Sequence, residues 1–230
     1  MIMIDTLAIE ITRRCNIACE HCLRGDAQDV DILPKYIDSL FKQINCINHL
    51  AITGGEPSLK PDAIAFIVTA LRRYNVSVDT FFIATNGVKI TKKFVDACWL
   101  LYEHVENKEH SSVEISNDEF HIKEKQYEDI MLLDLPFYRK RYKEEAYSYP
   151  DGISLHKEGR GNAIKRAKKL TRTSFIETKE DFMNGVIYLN VNGELINGCD
   201  WSYENQRYSE LCRVEELTTF YNELEGQGTW

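Results

Sequence analysis

The chain has 230 residues, of which 43% are hydrophobic, and its 28 basic and 36 acidic residues give a net charge of −8. This acidic balance disfavours a broad nucleic-acid-binding face, which normally requires an excess of lysine and arginine. No apolar stretch approaches the roughly 20 residues that a transmembrane helix needs, and residues 1–5 lack the basic region of a signal peptide. We therefore expect a cytoplasmic protein that does not bind membranes.

Strand-like and helix-like segments alternate over the first two thirds of the chain. The predicted strands are Leu7–Thr12, Leu50–Thr53, Val78–Ala84 and Val113–Ser116. Apolar residues at helical spacing predict helices around Ile37, Ile67, Cys98 and Ile130. This alternation predicts a parallel sheet with right-handed crossovers. We therefore expect an α/β fold, namely a partial (β/α) barrel of about six strands.

Weaker patterns follow Leu135. Ile153–Leu155 is predicted to form a fifth strand. Two further strands flank Asn192-Gly193, a dipeptide typical of tight hairpin turns, and a last helix is predicted over Val214–Leu224. We expect residues 1–230 to form one domain, with a core at about 5–175 and a C-terminal hairpin and helix at about 176–225.

Three cysteines crowd into the loop after the first predicted strand. Cys15, Cys19 and Cys22 form a C-x3-C-x2-C pattern. Three thiolates on one loop can hold three irons of an iron–sulfur cube and leave the fourth iron open to another ligand. The alternative is a zinc site that adds His21, although zinc ligands usually come as two separated pairs. The odd total of seven cysteines in a cytoplasmic protein argues against a disulfide framework.

The sequence resembles the radical S-adenosylmethionine (SAM) superfamily in two motifs. The first is the CxxxCxxC loop, in which His21 takes the place of the aromatic residue before the last cysteine. The second is GGEP, present unaltered as Gly54, Gly55, Glu56 and Pro57 after the second predicted strand. The resemblance covers about Leu7 to Ser116 and implies a [4Fe–4S] cluster together with SAM.

The resemblance also implies roles for the second motif and for residues at later strand ends. Gly54 and Gly55 let the backbone approach a ligand closely, and Glu56 offers a carboxylate to the methionine ammonium of SAM. Asn86, in Thr-Asn-Gly, is expected near the cofactor, unless the sequence is only a turn.

Ser116 and Asp118 match residues that bind the ribose hydroxyls in this family, and Arg160 matches a glycine–arginine step able to hold the SAM carboxylate. Asp118 is alternatively a helix cap, and Arg160 is alternatively part of a surface turn.

The other four cysteines divide into two pairs. Cys46 and Cys98 are predicted to be core residues on or at the end of helices, where cysteine acts as a small hydrophobe. Cys199 and Cys212 follow the predicted hairpin, and Cys199 resembles the start of the cysteine-rich SPASM extension of peptide-modifying members. Two cysteines are too few for a complete auxiliary cluster, so we expect none.

The resemblance implies that SAM is cleaved reductively to methionine and a 5′-deoxyadenosyl radical that takes a hydrogen from a substrate. The expected partners are a peptide or protein substrate and a low-potential electron donor such as flavodoxin or ferredoxin. The alternatives are a small-molecule enzyme similar to carboxydeazaguanine synthase, a glycyl-radical activase, and a non-enzymatic SAM-binding protein.

Overall fold

The computed structural model describes residues 2–116, 134–140, 156–165, 167, 169, 176–179 and 182–226. The strands in this part of the chain are β1 (Ile2–Glu10), β2 (Ile44–Thr53), β3 (Ser77–Thr85), β4 (Ser112–Ile115), β5 (Tyr138–Lys140), β6 (Glu177–Lys179), β7 (Phe182–Leu189), β8 (Glu194–Asn197) and β9 (Glu210–Arg213). The α-helices are α1 (Pro34–Phe41), α2 (Pro61–Tyr74), α3 (Lys92–His104) and α4 (Leu217–Gly226).

The strands form one open, mostly parallel sheet. Its order is β5-β4-β3-β2-β1-β7-β8-β9, with β6 paired to β7. The strands from β5 to β7 in this order run parallel, whereas β6, β8 and β9 pair in the antiparallel sense. The helices α1, α2 and α3 each connect two successive parallel strands. The expected α/β partial barrel is thereby confirmed, since the sheet does not close.

One face of the sheet packs against the helices and forms the main core. The α2 helix contributes Ile64, Ile67, Val68 and Leu71, all of which are buried. Their spacing along the chain places them on one side of the helix. The helix ends at Asn75, which adopts the left-handed conformation (φ 54°) often found at helix C-termini.

The opposite face of the sheet carries small side chains at its centre. Ala8 of β1 is in register with Ala51 of β2 and with Tyr188 of β7. Ala8, Tyr188 and Ile196 form a second buried cluster, against which Ala51, Cys199 and Trp201 pack. The segment after β8, rather than a helix, thus covers this part of the face.

The structure differs from the expected element boundaries in several places. The strand β1 begins five residues earlier than predicted, and β2 begins six residues earlier. The prediction was too short because Asp5, Asn48 and His49 interrupt the apolar pattern, although the two strands pair with each other in this part. The strands β5, β6 and β9 were not predicted, since each is short and mostly polar, without a run of apolar residues that would indicate a buried strand. The predicted strand Ile153–Leu155 and the predicted helix around Ile130 lie outside the described residues.

No helix within the described ranges combines the length and the apolar character needed to cross a membrane.

Candidate functional site

The cysteine loop leaves the carboxyl end of β1 and returns towards α1. Cys15, Cys19 and Cys22 are all half-buried, free thiols. The Cys22 amide donates to the Cys19 carbonyl at 3.2 Å, which makes a turn between the last two cysteines. Burial is the main cause that raises the pKa of Cys15, and charge on Glu56, Cys19 and Cys22 acts in the same direction.

The donor set of this loop fits an iron–sulfur cluster in kind. Three thiols lie on eight consecutive residues, and cysteinate sulfur is the usual protein ligand of such clusters. Within the residues that the structure describes, no group of three or more Cys, His, Asp or Glu side chains is arranged as a closed metal site. The fit therefore rests on the chemistry and placement of the thiols, not on preformed coordination geometry.

Gly54 and Gly55 lie against the first residues of the cysteine loop. The Gly55 amide donates to the Thr12 carbonyl at 2.7 Å, and the Glu56 amide donates to the Arg14 carbonyl at 2.8 Å. A Cβ on Gly54, whose φ is 148°, would overlap the Thr12 carbonyl oxygen, and one on Gly55 would overlap that of Arg14. The expected close backbone approach exists here, but its partner is the chain's own cysteine loop.

Glu56 is almost fully buried and its carboxylate joins the ends of β2 and β3. One oxygen accepts from the Ser58 amide at 2.9 Å and from the Thr85 hydroxyl at 2.6 Å. The other oxygen accepts from the Asn86 amide at 2.7 Å. Three internal donors thus occupy the carboxylate that sequence analysis assigned to the SAM ammonium. Pro57 is also buried and begins the short 3-10 turn after it.

Asn86 connects the end of β3 to the cysteine loop. Its side-chain amide donates to the Asn16 side-chain oxygen at 2.8 Å, and its nitrogen lies 3.9 Å from the Cys15 sulfur. Ser116 follows β4 and its amide donates to the Thr85 carbonyl at 2.9 Å. These residues therefore share the edge of the sheet where the cysteine loop lies, whereas Asp118 lies outside the described residues.

Arg160 belongs to a turn that packs on the far side of the cysteine loop. Its amide donates to the Cys22 carbonyl at 3.0 Å, and a Cβ on the preceding Gly159 would lie 2.6 Å from the same carbonyl oxygen. The Arg160 Nε atom is buried without a hydrogen-bond partner in the described part of the chain and is 3.7 Å from the Asp26 carboxylate. His21 is half-buried between Cys19 and Cys22.

Asp31 anchors the start of the loop, and sequence analysis missed it. Its carboxylate accepts from the Thr12 hydroxyl at 2.7 Å and pairs with Lys60 at 2.8 Å and Arg14 at 3.0 Å. Burial favours the neutral acid, yet hydrogen bonds from Lys60 and Thr12 and the nearby positive charges outweigh it and lower the pKa of Asp31.

A buried polar cluster of Glu10, Arg13, Tyr188 and Gln206, called the Glu10 cluster below, was also missed. The Glu10 carboxylate accepts from Arg13 Nε at 2.6 Å, the Tyr188 hydroxyl at 2.6 Å and Gln206 Nε2 at 2.9 Å. It also accepts from the Val191 amide at 3.2 Å. An acidic residue within a predicted buried strand was the available signal, because such a group needs partners.

The other four cysteines lie apart from the loop in sequence. Cys98 is buried in α3, as predicted, and burial raises the pKa of its thiol. The helical placement of Cys46 was wrong, because this residue is half-buried on β2. Cys199 follows β8, and Cys212 lies on β9 opposite Leu195. Burial raises the pKa of Cys212 to about 12.

Comparisons with known families and curated proteins give consistent matches. The profile of the Radical SAM superfamily matches residues 9–132. A GTP 3′,8-cyclase of Aliarcobacter butzleri is 31% identical over 106 residues, which are 41% of this chain and 32% of the relative. A GTP 3′,8-cyclase of Chlorobaculum tepidum is 30% identical over 95 residues, which are 39% of this chain and 28% of the relative. The chain therefore matches about a third of the length of these relatives.

Comparison with solved structures finds several similar chains. One is native anSMEcpe with bound AdoMet and Cp18Cys peptide, at 13% identity and a TM-score of 0.46, covering 96% of this chain and 82% of the other. Another is SuiB of Streptococcus suis bound to S-adenosylmethionine, at 13% identity and a TM-score of 0.46, covering 98% and 67%.

Proposed function

This chain belongs to the radical SAM superfamily and is a radical SAM enzyme, and on that premise we propose that Cys15, Cys19 and Cys22 hold a [4Fe–4S] cluster at which SAM is cleaved. The observation that carries the proposal is the loop itself. Three half-buried thiols lie within eight residues, at the edge of the sheet where the six parallel strands end. In parallel α/β folds, ligands bind at this edge.

Three cysteine ligands suit a cluster that must also bind a cofactor. A four-iron cube held by three thiolates keeps one iron open to another ligand. When bound, the cluster supplies the electron that cleaves SAM into methionine and a 5′-deoxyadenosyl radical, which takes a hydrogen atom from the substrate. The chemistry belongs to the cofactors, and the protein contributes binding and orientation.

We divide the candidate site residues into those that bind a cofactor and those that position the loop. We assign cofactor binding to Ser116, Asp118 and the Arg160 guanidinium, whose buried Nε has no acceptor in the described chain. Gly54, Gly55 and Glu56 position the loop and the end of β3, because their contacts are with the chain itself.

Asn86 places an amide donor 3.9 Å from the Cys15 sulfur. Hydrogen bonds to ligand sulfur tune the potential of iron–sulfur clusters. We therefore assign Asn86 to the setting of that potential.

Two substrate classes follow from different observations. The hairpin that ends at Cys199 suggests a peptide or protein, as in enzymes with a SPASM extension. The curated relatives, named for GTP, suggest a small molecule instead. In either case the electron donor is a low-potential protein such as flavodoxin or ferredoxin.

Anaerobic reconstitution tests the proposal directly. We expect about four irons per chain, and 5′-deoxyadenosine after addition of dithionite and SAM. Alanine at Cys15, Cys19 or Cys22 should abolish both, whereas Cys46→Ala, a half-buried cysteine on β2, is the matched control. Native iron content in all three loop variants, or zinc as the only bound metal, would overturn the assignment.

A further inference from the structure

Arg24 is held in a fixed orientation beside the face of the sheet that the helices do not cover. Its guanidinium carbon lies 4.6 Å from the centre of the Tyr188 ring, and its Nη1 donates to the Trp201 carbonyl at 2.6 Å. The Tyr188 hydroxyl is itself fixed by a 2.6 Å hydrogen bond to Glu10. The contact with the Tyr188 ring and the hydrogen bond to Trp201 together restrict the position of the guanidinium.

The other edge of this guanidinium carries unused donors. Nε and Nη2 of Arg24 meet no hydrogen-bond acceptor and no carboxylate among the residues that the structure describes. Neither atom is among the fully enclosed polar atoms, so both remain accessible. The Nε–Nη2 edge of arginine is a planar pair of donors that matches the two oxygens of a carboxylate or phosphate.

Arg13 lies in the same region, and each of its three guanidinium nitrogens has a hydrogen-bond acceptor. Its Nε donates to Glu10, its Nη1 to Gln28 and its Nη2 to Gln206. Glu10 is thereby matched by Arg13, and the positive charge of Arg24 has no carboxylate within ion-pair distance in the described part of the chain. Burial alone would lower the pKa of Arg24, but the charges around it, Glu10 among them, raise it, so the guanidinium stays positive and can pair with an anion.

Arg24 lies close to the cysteine loop in sequence and next to the face of the sheet that the helices do not cover. It follows Cys22 by two residues, and Tyr188 beneath it is in register with Ala8, beside Ala51. These small side chains lie on the face of the sheet that the helices do not cover. Arg24 thus lies between the cysteine loop and that face of the sheet.

We propose that the Nε–Nη2 edge of Arg24 is an oxyanion subsite that binds a carboxylate or phosphate group of the substrate. The inference rests on the proposed function, because it takes the substrate to be that of the radical reaction. A carboxylate indicates a peptide or organic acid, whereas a phosphate indicates a nucleotide. The anion that binds at this subsite therefore distinguishes the two substrate classes.

The test is calorimetric titration of the reconstituted, SAM-loaded full chain with pyrophosphate and with succinate at constant ionic strength. One of the two probes should bind with a stoichiometry of one. Its affinity should fall about 10- to 100-fold in Arg24→Gln, as expected for loss of a charged pair of hydrogen bonds. Arg24→Lys should also weaken binding, because lysine keeps the charge but loses the paired donors.

Arg207→Gln is the matched control, since this exposed arginine stacks on Tyr208 and its loss removes the same charge from the C-terminal segment. The proposal fails if neither probe binds the native chain, or if Arg24→Gln and Arg24→Lys, shown to be folded by circular dichroism, bind as tightly as the native chain.

Affinity for SAM distinguishes the other source of a carboxylate. Replacement of Arg24 by glutamine should leave SAM affinity within about twofold of native, a difference well below one charged hydrogen bond. A loss of SAM affinity would assign Arg24 to the cofactor and overturn the substrate subsite. The proposed function is tested separately, by the iron content and the SAM cleavage of the native chain and of its Cys15, Cys19 and Cys22 variants.

Discussion

Replacement of Gly55 by alanine tests whether the GGEP motif supports the cysteine loop. The added Cβ would overlap the Arg14 carbonyl oxygen and lie 2.7 Å from the Arg14 carbonyl carbon and 2.9 Å from that of Arg13. All three atoms belong to backbone, so no side-chain rotation relieves the overlap. The start of the loop must move away from β2.

The expected cost has two parts. Forced overpacking of a buried site costs about 1–3 kcal/mol. Movement of the loop also breaks the bond from the Gly55 amide to Thr12 and that from the Glu56 amide to Arg14, each worth about 0.5–1.5 kcal/mol. We therefore expect the free energy of unfolding to fall by about 2–6 kcal/mol, a large share of a typical domain stability of about 5–15 kcal/mol.

Urea denaturation followed by circular dichroism measures this loss, and iron content after anaerobic reconstitution reports on the loop. The matched control is Gly226→Ala at the end of α4, where an added Cβ meets nothing within 4 Å. That control should be neutral or slightly stabilising. Native stability and full iron content in Gly55→Ala would refute the view that these glycines exist to admit the loop backbone.

Four further predictions concern charge, hydrogen bonding and metal. The pKa of Asp31 is lower in the folded chain than its ordinary value of 3.8. The ionised carboxylate therefore stabilises the fold above pH 3.8, and this stabilisation is lost as the pH falls through the folded-state pKa. In urea titrations, the difference in unfolding free energy between the native chain and Asp31→Asn should shrink on acidification. Glu56→Gln should destabilise the fold by about 1.5–3 kcal/mol, because it replaces a charged acceptor of three hydrogen bonds; unchanged urea unfolding would contradict this. Serine at both Cys199 and Cys212 should leave iron at about four per chain, whereas a fall from eight to four would reveal an auxiliary cluster. Removal of iron by a chelator should bleach the protein but leave its far-UV dichroism unchanged, and a cooperative loss of helix signal would contradict that.

The fold and the cysteine loop could be predicted because their signals are local. The alternation of short apolar strands with amphipathic helices predicted the parallel sheet, and Asn192-Gly193 predicted the turn between β7 and β8. The spacing of Cys15, Cys19 and Cys22 needs no tertiary information. Where polar residues such as Asn48 interrupt a strand, the same local patterns gave boundaries that were too short.

The polar contacts that support the loop could not be predicted in this way. Glu10 and Gln206 are hydrogen-bonded although they are 196 positions apart in the sequence. The strands β1 and β7 pair in parallel although most of the chain lies between them. Neither contact follows from periodicity. The role of Gly54 was predicted as close approach to a ligand, and only the tertiary structure reveals that the Thr12 carbonyl lies there.

Contacts from three other segments hold the backbone of the cysteine loop. The GGEP motif holds its start through Thr12 and Arg14, and the turn at Arg160 holds Cys22. The segment after β8 holds its end, because the Tyr203 amide donates to the Arg24 carbonyl at 3.0 Å. These hydrogen bonds lie within the chain and do not involve a metal. A bound metal would therefore need only to orient the thiols. Small zinc domains differ, since there the metal supplies most of the folding free energy. If the proposed cluster is present, its removal should therefore leave the loop folded.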